Sequence, residues 1–236
     1  MEIEQFLNKL PDVYTRGDRE QIEKAYRFAE NAHHGQTRAN GQPYFSHLVG
    51  VAFILLDMEA TADIVTAALL QDVIIDCGVP VNTLKKDFGE NITRFVEDLT
   101  RITSLPYLSR ADQHENERKP LKDAVPGDAS RIDDDLAETI RKMLLAIGDD
   151  VRVVVIMLAD RLHNMRTLNA LPSDRQRKIA QETLDIFAPI ANRLGIWQFK
   201  WELEDLGFRY TNSEKYKEIA ENLTTRRTKR LEEVDK

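Results

Sequence analysis

The chain has 236 residues, of which 42% are hydrophobic and 31% charged, and its formal net charge is −7. These values are typical of a globular protein with one large domain or two small ones. The negative balance argues against a general nucleic-acid-binding surface, so a polyanionic ligand must meet a local cluster of Arg and Lys. The longest apolar run, 153–159, is too short to cross a bilayer, and the N-terminus lacks a secretory signal, so with one cysteine, Cys77, we expect a cytoplasmic protein without membrane contact.

Helical periodicity recurs along the chain and strand-type alternation is rare, which predicts an all-α fold. In the N-terminal half the predicted helices are 19–33, 43–56, 61–76, a short helix capped by Asn82 and ended by Gly89, and 91–102.

Residues 104–131 carry three prolines, many charges and few apolar side chains, which predicts an exposed and mobile insertion. Beyond it the pattern predicts helices at 134–147, 150–170, 174–194, 196–210 and 213–234. The start of segment 150–170 has strand-like propensity, but its helical spacing continues too far for an ordinary strand, so we predict a buried central helix. Pro189 predicts a kink, and the spacing of Trp197, Trp201 and Phe208 predicts a core stripe.

Segment 67–76 looks like the active-site helix of a metal-dependent HD phosphohydrolase with two chemical groups missing. Asp72 and Asp76 lie four residues apart, so on a helix both carboxylates point toward one pocket. Gln71 and Ile75 are also four apart. They stand where such an enzyme carries a histidine ligand and a catalytic glutamate.

Five segments carry a wider pattern: 32–38, 43–47, the helix with Gln71 and Asp72, 158–168 and 193–206. Together they resemble the N-terminal HD domain of the RelA/SpoT homologue family, whose members make or degrade the guanosine alarmone (p)ppGpp. The resemblance runs from about Arg19 to Tyr216. It implies an HD-domain helical bundle over residues 1–210, followed by a C-terminal helix or connection at 211–236.

The resemblance implies a metal site at the positions His47, Gln71, Asp72 and Asp160. In hydrolysing members a divalent ion, usually Mn²⁺, is held there, with a histidine in place of Gln71. A Glu-Asp pair matching Ile75 and Asp76 activates the water that attacks the 3′-pyrophosphate. Imidazole and carboxylate donors fix the ion, the ion acidifies its water, and a second carboxylate handles the proton.

The resemblance also implies contacts with a guanine nucleotide such as ppGpp, GDP or GTP. Arg38 would meet the guanine face and Ser46 the base edge. Asn164 and Thr167 would lie at the ribose and base region.

The two replacements predict that hydrolysis is lost. Disturbing even an outer partner of a metal ligand costs about 10- to 100-fold in affinity or activity, and Gln71 replaces a ligand itself. Loss of a positioned acid or base removes roughly 10² to 10⁴ in rate, and Ile75 offers neither proton transfer nor a hydrogen bond to water. We therefore expect a pseudo-hydrolase in which His47, Asp72, Asp160 and Asp76 are vestigial and Mn²⁺ binding is weak or absent.

Three functions remain open at this level. One is a degenerate HD domain that regulates a neighbouring (p)ppGpp synthetase domain, with or without a retained nucleotide pocket. The second is a weak metal-dependent (p)ppGpp 3′-pyrophosphohydrolase, and the third is a purely structural or dimerisation module. Only 26 residues follow Tyr210, whereas a catalytic domain needs on the order of 100, so we expect either a fragment of a longer enzyme or a stand-alone relic.

Overall fold

A computed structural model of the chain describes residues 3–104 and 150–222, and every regular element in these ranges is helical. The helices are α1 Ile3–Leu7, α2 Arg16–Ala32, α3 Phe45–Asp57, α4 Ala62–Leu70, α5 Val81–Thr103, α6 Val151–Arg166, α7 Ser173–Glu182, α8 Ala188–Arg193 and α9 Trp197–Thr211. This confirms the all-α prediction. The predicted insertion 104–131 apart from Ser104, the predicted helix 134–147 and the end of the predicted helix 213–234 lie outside the described residues.

Helix α2 begins at Arg16, earlier than the pattern predicts, because a capping box fixes its first turn. Thr15 Oγ1 accepts from the backbone N–H of Asp18, and the Asp18 carboxylate accepts from the backbone N–H of Thr15 over 2.8 Å. The two helices predicted before and after Gly89 follow one another without a loop within α5 and meet in a kink at Gly89, and the first begins at Val81 with Pro80 at its cap in place of Asn82. Gly89 has φ +81°, a backbone conformation that breaks the helical path and that glycine adopts without strain.

Helix α4 corrects a predicted boundary, since it ends at Leu70 and not at residue 76. Beyond it the backbone N–H of Val73 binds the carbonyl of Leu70, and the N–H of Asp76 binds that of Asp72 over 2.8 Å. Residues 71–77 therefore form successive turns in place of a regular helix.

The predicted central helix is confirmed as α6. Its first turn is capped by the Asp150 carboxylate, which accepts from the backbone N–H of Arg152 over 3.0 Å. The helix ends at Arg166, and a short 3₁₀ turn, Leu168–Ala170, follows it.

The predicted helix 174–194 is interrupted by a π turn, Thr183–Phe187, between α7 and α8. Pro189 is the second residue after this turn. Its ring has no N–H to donate and collides with the carbonyl four residues earlier in a regular helix, so a wider turn accommodates it. The distortion predicted at Pro189 takes this form.

The chain forms two compact units, Met1–Leu171 and Pro172–Lys236. The division at 1–210 and 211–236 does not coincide with these units and stays a prediction about domains. In the first unit, α4 is buried along nearly its whole length and packs against α2, α3, α5 and α6. This places the end of α4 beside α3 and α6.

In the second unit, the predicted core stripe on α9 is wrong. Trp197 and Trp201 are 60% and 70% exposed, while Phe199 and Leu203 are buried. The buried face also contains Gly207, where a Cβ atom would lie 2.6 Å from Leu184 Cδ2. The close approach that glycine permits selects this face for packing. Across the described residues, no helix combines the length and apolar character needed to cross a membrane.

Candidate functional site

Three helices of the first unit bring most of the predicted site residues together. Helix α3 supplies His47, and the turn after α4 supplies Gln71 and Asp72. Helix α6 supplies Asp160 and Asn164, which share a face because they lie four residues apart. The helices pack on one another, so these side chains meet in a largely buried layer.

His47 is 2% exposed, and its Nε2 lies 2.8 Å from Asp160 Oδ1. Its Nδ1 lies 2.9 Å from Nδ1 of His163. Burial, followed by the electrostatic effects of His47 and Arg38, lowers the pKa of His163 to about 3, so the His163 ring is neutral at pH 7. Since the Asp160 carboxylate accepts, Nε2 of His47 carries a proton, whichever ring donates between the two histidines.

Gln71 joins the two carboxylates of the layer. Its side-chain amide nitrogen donates to Asp160 Oδ1 over 3.1 Å and reaches Asp72 Oδ2 at 3.4 Å. The amide nitrogen faces these oxygens because the amide oxygen would be repelled by both. The C-terminal end of α4 adds partial negative charge here. The amide N–H groups therefore occupy the position that needs positive charge most.

Asp72 is also held by Tyr44, whose hydroxyl donates over 3.0 Å to the same oxygen, Oδ2, that Gln71 approaches. Tyr44 was not assigned a role from the sequence. Its position three residues before His47 is the signal, because this spacing places both side chains on the same side of a helical turn. The two rings lie edge to face with centroids 5.7 Å apart.

The positions of the predicted catalytic pair, Ile75 and Asp76, lie at the rim of this layer. Ile75 is 37% exposed, and Asp76 is half-buried. The backbone carbonyl of Asp76 accepts from Gln36 Nε2 over 3.2 Å. A hydrocarbon therefore stands at the solvent-facing edge where the resemblance places a catalytic carboxylate.

Cys77 next to this turn is a protonated thiol at neutral pH. Burial, followed by the charge of Asp76, raises its pKa to about 11. Its sulfur lies 3.4 Å from Nδ1 of His33 and 3.8 Å from Nε2 of Gln36. A thiol in this state is neither a nucleophile nor a metal ligand.

One imidazole and two carboxylates are chemically suitable ligands for a divalent ion, but their arrangement does not fit one. Nε2 of His47 carries a proton where a ligand needs a lone pair, and the Gln71 N–H groups stand between the carboxylates. In residues 3–104 and 150–222, no three His, Cys, Asp or Glu side chains come together as a metal site.

The predicted nucleotide residues Arg38, Asn164 and Thr167 also lie together. The buried Arg38 guanidinium donates to Asn164 Oδ1 over 2.7 Å and to Thr167 Oγ1 over 3.2 Å. A cavity of about 10 Å³ remains beside them, which is room for one water molecule. This volume is too small to hold a nucleobase.

Asn164 connects the two halves of the site. Its amide oxygen accepts from Arg38, and its amide nitrogen donates to Asp160 Oδ2 over 3.0 Å. The nucleotide residues and the carboxylate layer are thus parts of one hydrogen-bonded network.

Ser46 is not brought to this network. It is exposed near the start of α3, and its hydroxyl donates to the carbonyl of Pro43 over 2.6 Å. It lines a different cavity, between α2 and α3.

Comparison with known proteins gives a consistent picture. A profile described as HD domain matches residues 25–197. A probable guanosine-3′,5′-bis(diphosphate) 3′-pyrophosphohydrolase of Synechocystis is 40% identical over 204 residues, which cover 86% of this chain and 24% of that protein. The bifunctional (p)ppGpp synthase/hydrolase SpoT of Escherichia coli is 37% identical over 231 residues, 98% of this chain and 30% of that protein.

The GTP pyrophosphokinase rsh of Brucella melitensis is 41% identical over 202 residues, 86% of this chain and 24% of that protein. The chain thus spans between 24% and 30% of the length of these relatives. A solved structure of a metazoan SpoT orthologue, described as hydrolysing ppGpp, matches with TM-score 0.55 and 20% identity over 85% of this chain and 98% of that chain. This likeness confirms the predicted HD-type helical fold.

Proposed function

Because this chain belongs to the HD-domain family and is homologous to the N-terminal HD domain of the RelA/SpoT homologue proteins, we propose a function for it in alarmone metabolism. It acts as a hydrolytically silent HD domain that keeps a guanine-nucleotide pocket and regulates a (p)ppGpp synthetase domain. Membership of this family implies use of a divalent metal. The proposal is that this chain has lost the Mn²⁺ centre.

The observation that carries the proposal is the direction of the Gln71 amide. It donates to Asp160 and approaches Asp72, so its N–H groups stabilise the two carboxylates in place of a cation. A metal ion would have to displace this amide, remove the proton from Nε2 of His47 and accept a neutral oxygen ligand in exchange. Each step lowers metal affinity, and loss of affinity removes the acidified water that hydrolysis needs.

Ile75 supports the same conclusion independently. A catalytic carboxylate at this half-exposed position would reach solvent and a bound pyrophosphate, whereas the isoleucine side chain cannot accept a proton. Restoring the metal site alone therefore leaves Asp76 without the glutamate partner that handles the proton of the water.

The nucleotide pocket rests on Arg38, Asn164 and Thr167. A guanidinium has a planar face that stacks on a base, and it keeps its charge when buried. In the proposed bound state, Arg38 leaves Asn164 and Thr167 and lies against the guanine ring. The amide and hydroxyl released in this way then become available to the nucleoside.

A weak hydrolase is the second candidate, and the relatives favour it, since two of them carry names of 3′-pyrophosphohydrolase or synthase/hydrolase. In that case Asp72, Asp76, His47 and Asp160 retain slow turnover despite Gln71. The two candidates differ in one measurable product, pyrophosphate.

The test uses the full 236-residue chain with ppGpp, with and without Mn²⁺. We expect no pyrophosphate release above the rate without protein, and we expect ppGpp to raise the melting temperature with or without the metal. A ligand at 100 times its dissociation constant adds about 2.7 kcal/mol to the free energy of unfolding. Mn²⁺-dependent release above the rate without protein, even if it is slow, would establish the hydrolase and exclude the silent domain.

Arg38→Ala and Arg27→Ala form a matched pair for the binding measurement. Arg27 is exposed and paired with Glu23 on α2, so its removal leaves ppGpp binding unchanged. Arg38→Ala weakens binding at least about tenfold, as expected for loss of a charged group that stacks on the base. If ppGpp stabilises neither the chain nor its Arg27→Ala variant, the chain is a structural module.

The regulatory part of the proposal needs the synthetase domain that relatives carry. In a longer protein that contains this chain, deletion of the HD domain should change the rate of (p)ppGpp synthesis. An unchanged rate, with and without ppGpp, would refute regulation while leaving nucleotide binding to be judged by the melting experiment.

A further inference from the structure

A second cavity, of about 510 Å³, lies between α2 and α3 in the first unit. Its volume is in the range of small-molecule pockets, about 300–1,000 Å³. Helix α2 lines it with Tyr26 and Glu30, its C-cap residue His33 also lines it, and helix α3 lines it with Phe45, Val49 and Phe53. Arg38, His47, Asp72, Asp160 and Asn164 do not belong to its walls.

The floor of this cavity is an interlocked set of aromatic rings. Phe45 meets Tyr26 edge to face with centroids 4.7 Å apart. Phe6 lies below them, with its centroid 5.2 Å from that of Tyr26 and 5.2 Å from that of Phe53. Such rings are held by their neighbours, so the cavity is formed before any ligand arrives and its surface favours a flat apolar body.

The wall from α3 follows from the helical repeat. Phe45, Val49 and Phe53 are four residues apart and form one stripe along the helix. His47 lies outside this stripe and faces Asp160. One helix thus presents two separate sites, so occupation of the cavity does not require the carboxylate layer to open.

The fixed charge at the cavity, among the described residues that line it, is negative. Glu30 is exposed at its rim, and its carboxylate has no hydrogen bond or ion pair within the described part of the chain. Among the described residues that line the cavity, none is Lys or Arg. Phosphate groups are therefore repelled, whereas N–H donors and positive charge are attracted.

His33 adds a second polar feature to the wall. Its Nδ1 lies 2.7 Å from Gln36 Oε1, and its ring stacks on Tyr44 with centroids 4.9 Å apart. Its Nε2 is buried and lacks a hydrogen-bond partner among the residues described. This nitrogen has almost no accessible surface and therefore offers no hydrogen bond to a molecule in the cavity.

We infer that this cavity binds a planar, phosphate-free heterocycle, neutral or cationic, with adjacent N–H donors that pair with the Glu30 carboxylate. The ring lies on the aromatic floor, and two parallel N–H donors match the two oxygens of one carboxylate. The inference is independent of the proposed function, because Arg38, Asn164 and Thr167, on which the nucleotide pocket rests, do not line this cavity.

The probe is 2-aminobenzimidazole, a flat bicyclic ring that carries two adjacent N–H donors on one side. Its counterpart is benzimidazole-2-carboxylate, which has the same ring and the opposite charge. Titration of the isotope-labelled full chain, followed by NMR, should move the signals of residues lining the cavity with the amino compound and not with the carboxylate. Equal effects of the two compounds, no effect of either, or shifts centred on other residues would each overturn the inference.

Glu30→Gln keeps the size of the side chain and removes its charge, and we expect it to weaken binding of the probe about tenfold. Glu20→Gln is the control, because Glu20 lies on the same helix but pairs with Arg16 on the exposed surface, and it should change binding less than twofold. Val49→Trp fills the cavity and should abolish binding. If Val49→Trp fails to fold, the comparison of Glu30→Gln with Glu20→Gln decides alone, and equal affinities of these two variants would refute the proposed contact.

Arg38→Ala separates this cavity from the nucleotide pocket. It should weaken ppGpp binding and leave 2-aminobenzimidazole binding unchanged. A loss of probe binding in Arg38→Ala would place the probe in the nucleotide pocket and would contradict a second site.

Discussion

Gln71 Nε2 donates to Asp160 Oδ1 over 3.1 Å, on the same oxygen that lies 2.8 Å from Nε2 of His47. Two N–H donors, one from α3 and one from the turn after α4, thus converge on one carboxylate oxygen. A carboxylate that is largely removed from water, as Asp160 is, needs such donors or a bound cation, since an isolated charge in a protein interior is strongly disfavoured. This relationship makes Gln71 a structural residue, which can be tested by its removal.

Gln71→Ala should lower the free energy of unfolding by about 1–3 kcal/mol, because it removes one of the donors of Asp160 Oδ1 and of Asp72 Oδ2, which then keep only their remaining partners. Urea denaturation of both proteins measures the difference. Gln181→Ala is the control, since Gln181 makes a similar amide contact with Asp185 on an exposed surface, and its effect should stay within about 0.5 kcal/mol. Equal effects of the two changes would contradict the role given to Gln71.

The double change Gln71→His and Ile75→Glu should create Mn²⁺-dependent release of pyrophosphate from ppGpp. The histidine supplies a ligand with a lone pair, and the glutamate at the half-exposed rim supplies the proton handling. Each single variant should remain at least about 100-fold slower than the double variant. If the double variant binds Mn²⁺ tightly and is still silent, the loss of activity does not lie in these two residues.

His163 should make the stability of the fold depend on pH. Its pKa in the folded chain is about 3, below its ordinary value of 6.5. Between these values the unfolded chain binds a proton that the folded chain does not, so stability falls as the pH is lowered through this range. One proton contributes at most about 1.4 kcal/mol for each pH unit.

His163→Gln should therefore flatten the decrease in unfolding free energy between pH 7 and pH 5. Urea denaturation at several pH values measures the slope for each protein. His34→Gln, a change on an exposed side chain, is the comparison and should retain the slope of the original chain. A slope that is unchanged in His163→Gln would show that other groups cause the pH dependence.

Gly50→Ala should destabilise the first unit by about 1–3 kcal/mol, since a Cβ atom at this position would lie 2.3 Å from Nε2 of His163. The His163 ring cannot retreat without losing its contact with His47. Adding His163→Ala should recover part of the loss, which a double-mutant cycle measures. Gly17→Ala, whose Cβ would meet only Thr15 Oγ1 at 3.8 Å, should stabilise α2 by up to about 1 kcal/mol.

The sequence was sufficient for the helical class and for the confirmed parts of the helix pattern, because apolar spacing determines which elements can pack. The end of α4 at Leu70 was not predictable from local signals, since Gly78 and Pro80 are the first residues that break helices beyond it. The exposure of Trp201 was missed for a similar reason. The close approach at Gly207 decides which face of α9 is buried, and spacing alone contains no information on that partner.

In the site, the resemblance predicted which residue types should meet but not how they bond. Arg38 and Asn164 are 126 residues apart in sequence, and their contact exists only because α6 packs against the layer that contains α3. The direction of the Gln71 amide depends on the oxygens around it, which come from another helix. Its role as a donor between carboxylates was therefore visible only in three dimensions.

Asn164 uses the two ends of one amide for two different neighbours, Arg38 and Asp160. A ligand that draws Arg38 away removes one of these partners and leaves the amide with fewer restraints. The hydrogen bond from Asn164 to Asp160 is then weakened as well. By thermodynamic reciprocity, the factor by which this ligand shifts the orientation of Asp160 equals the factor by which reorientation of Asp160 changes the affinity for the ligand. Asn164 thus couples Arg38 to Asp160 in both directions, and this coupling does not depend on hydrolysis.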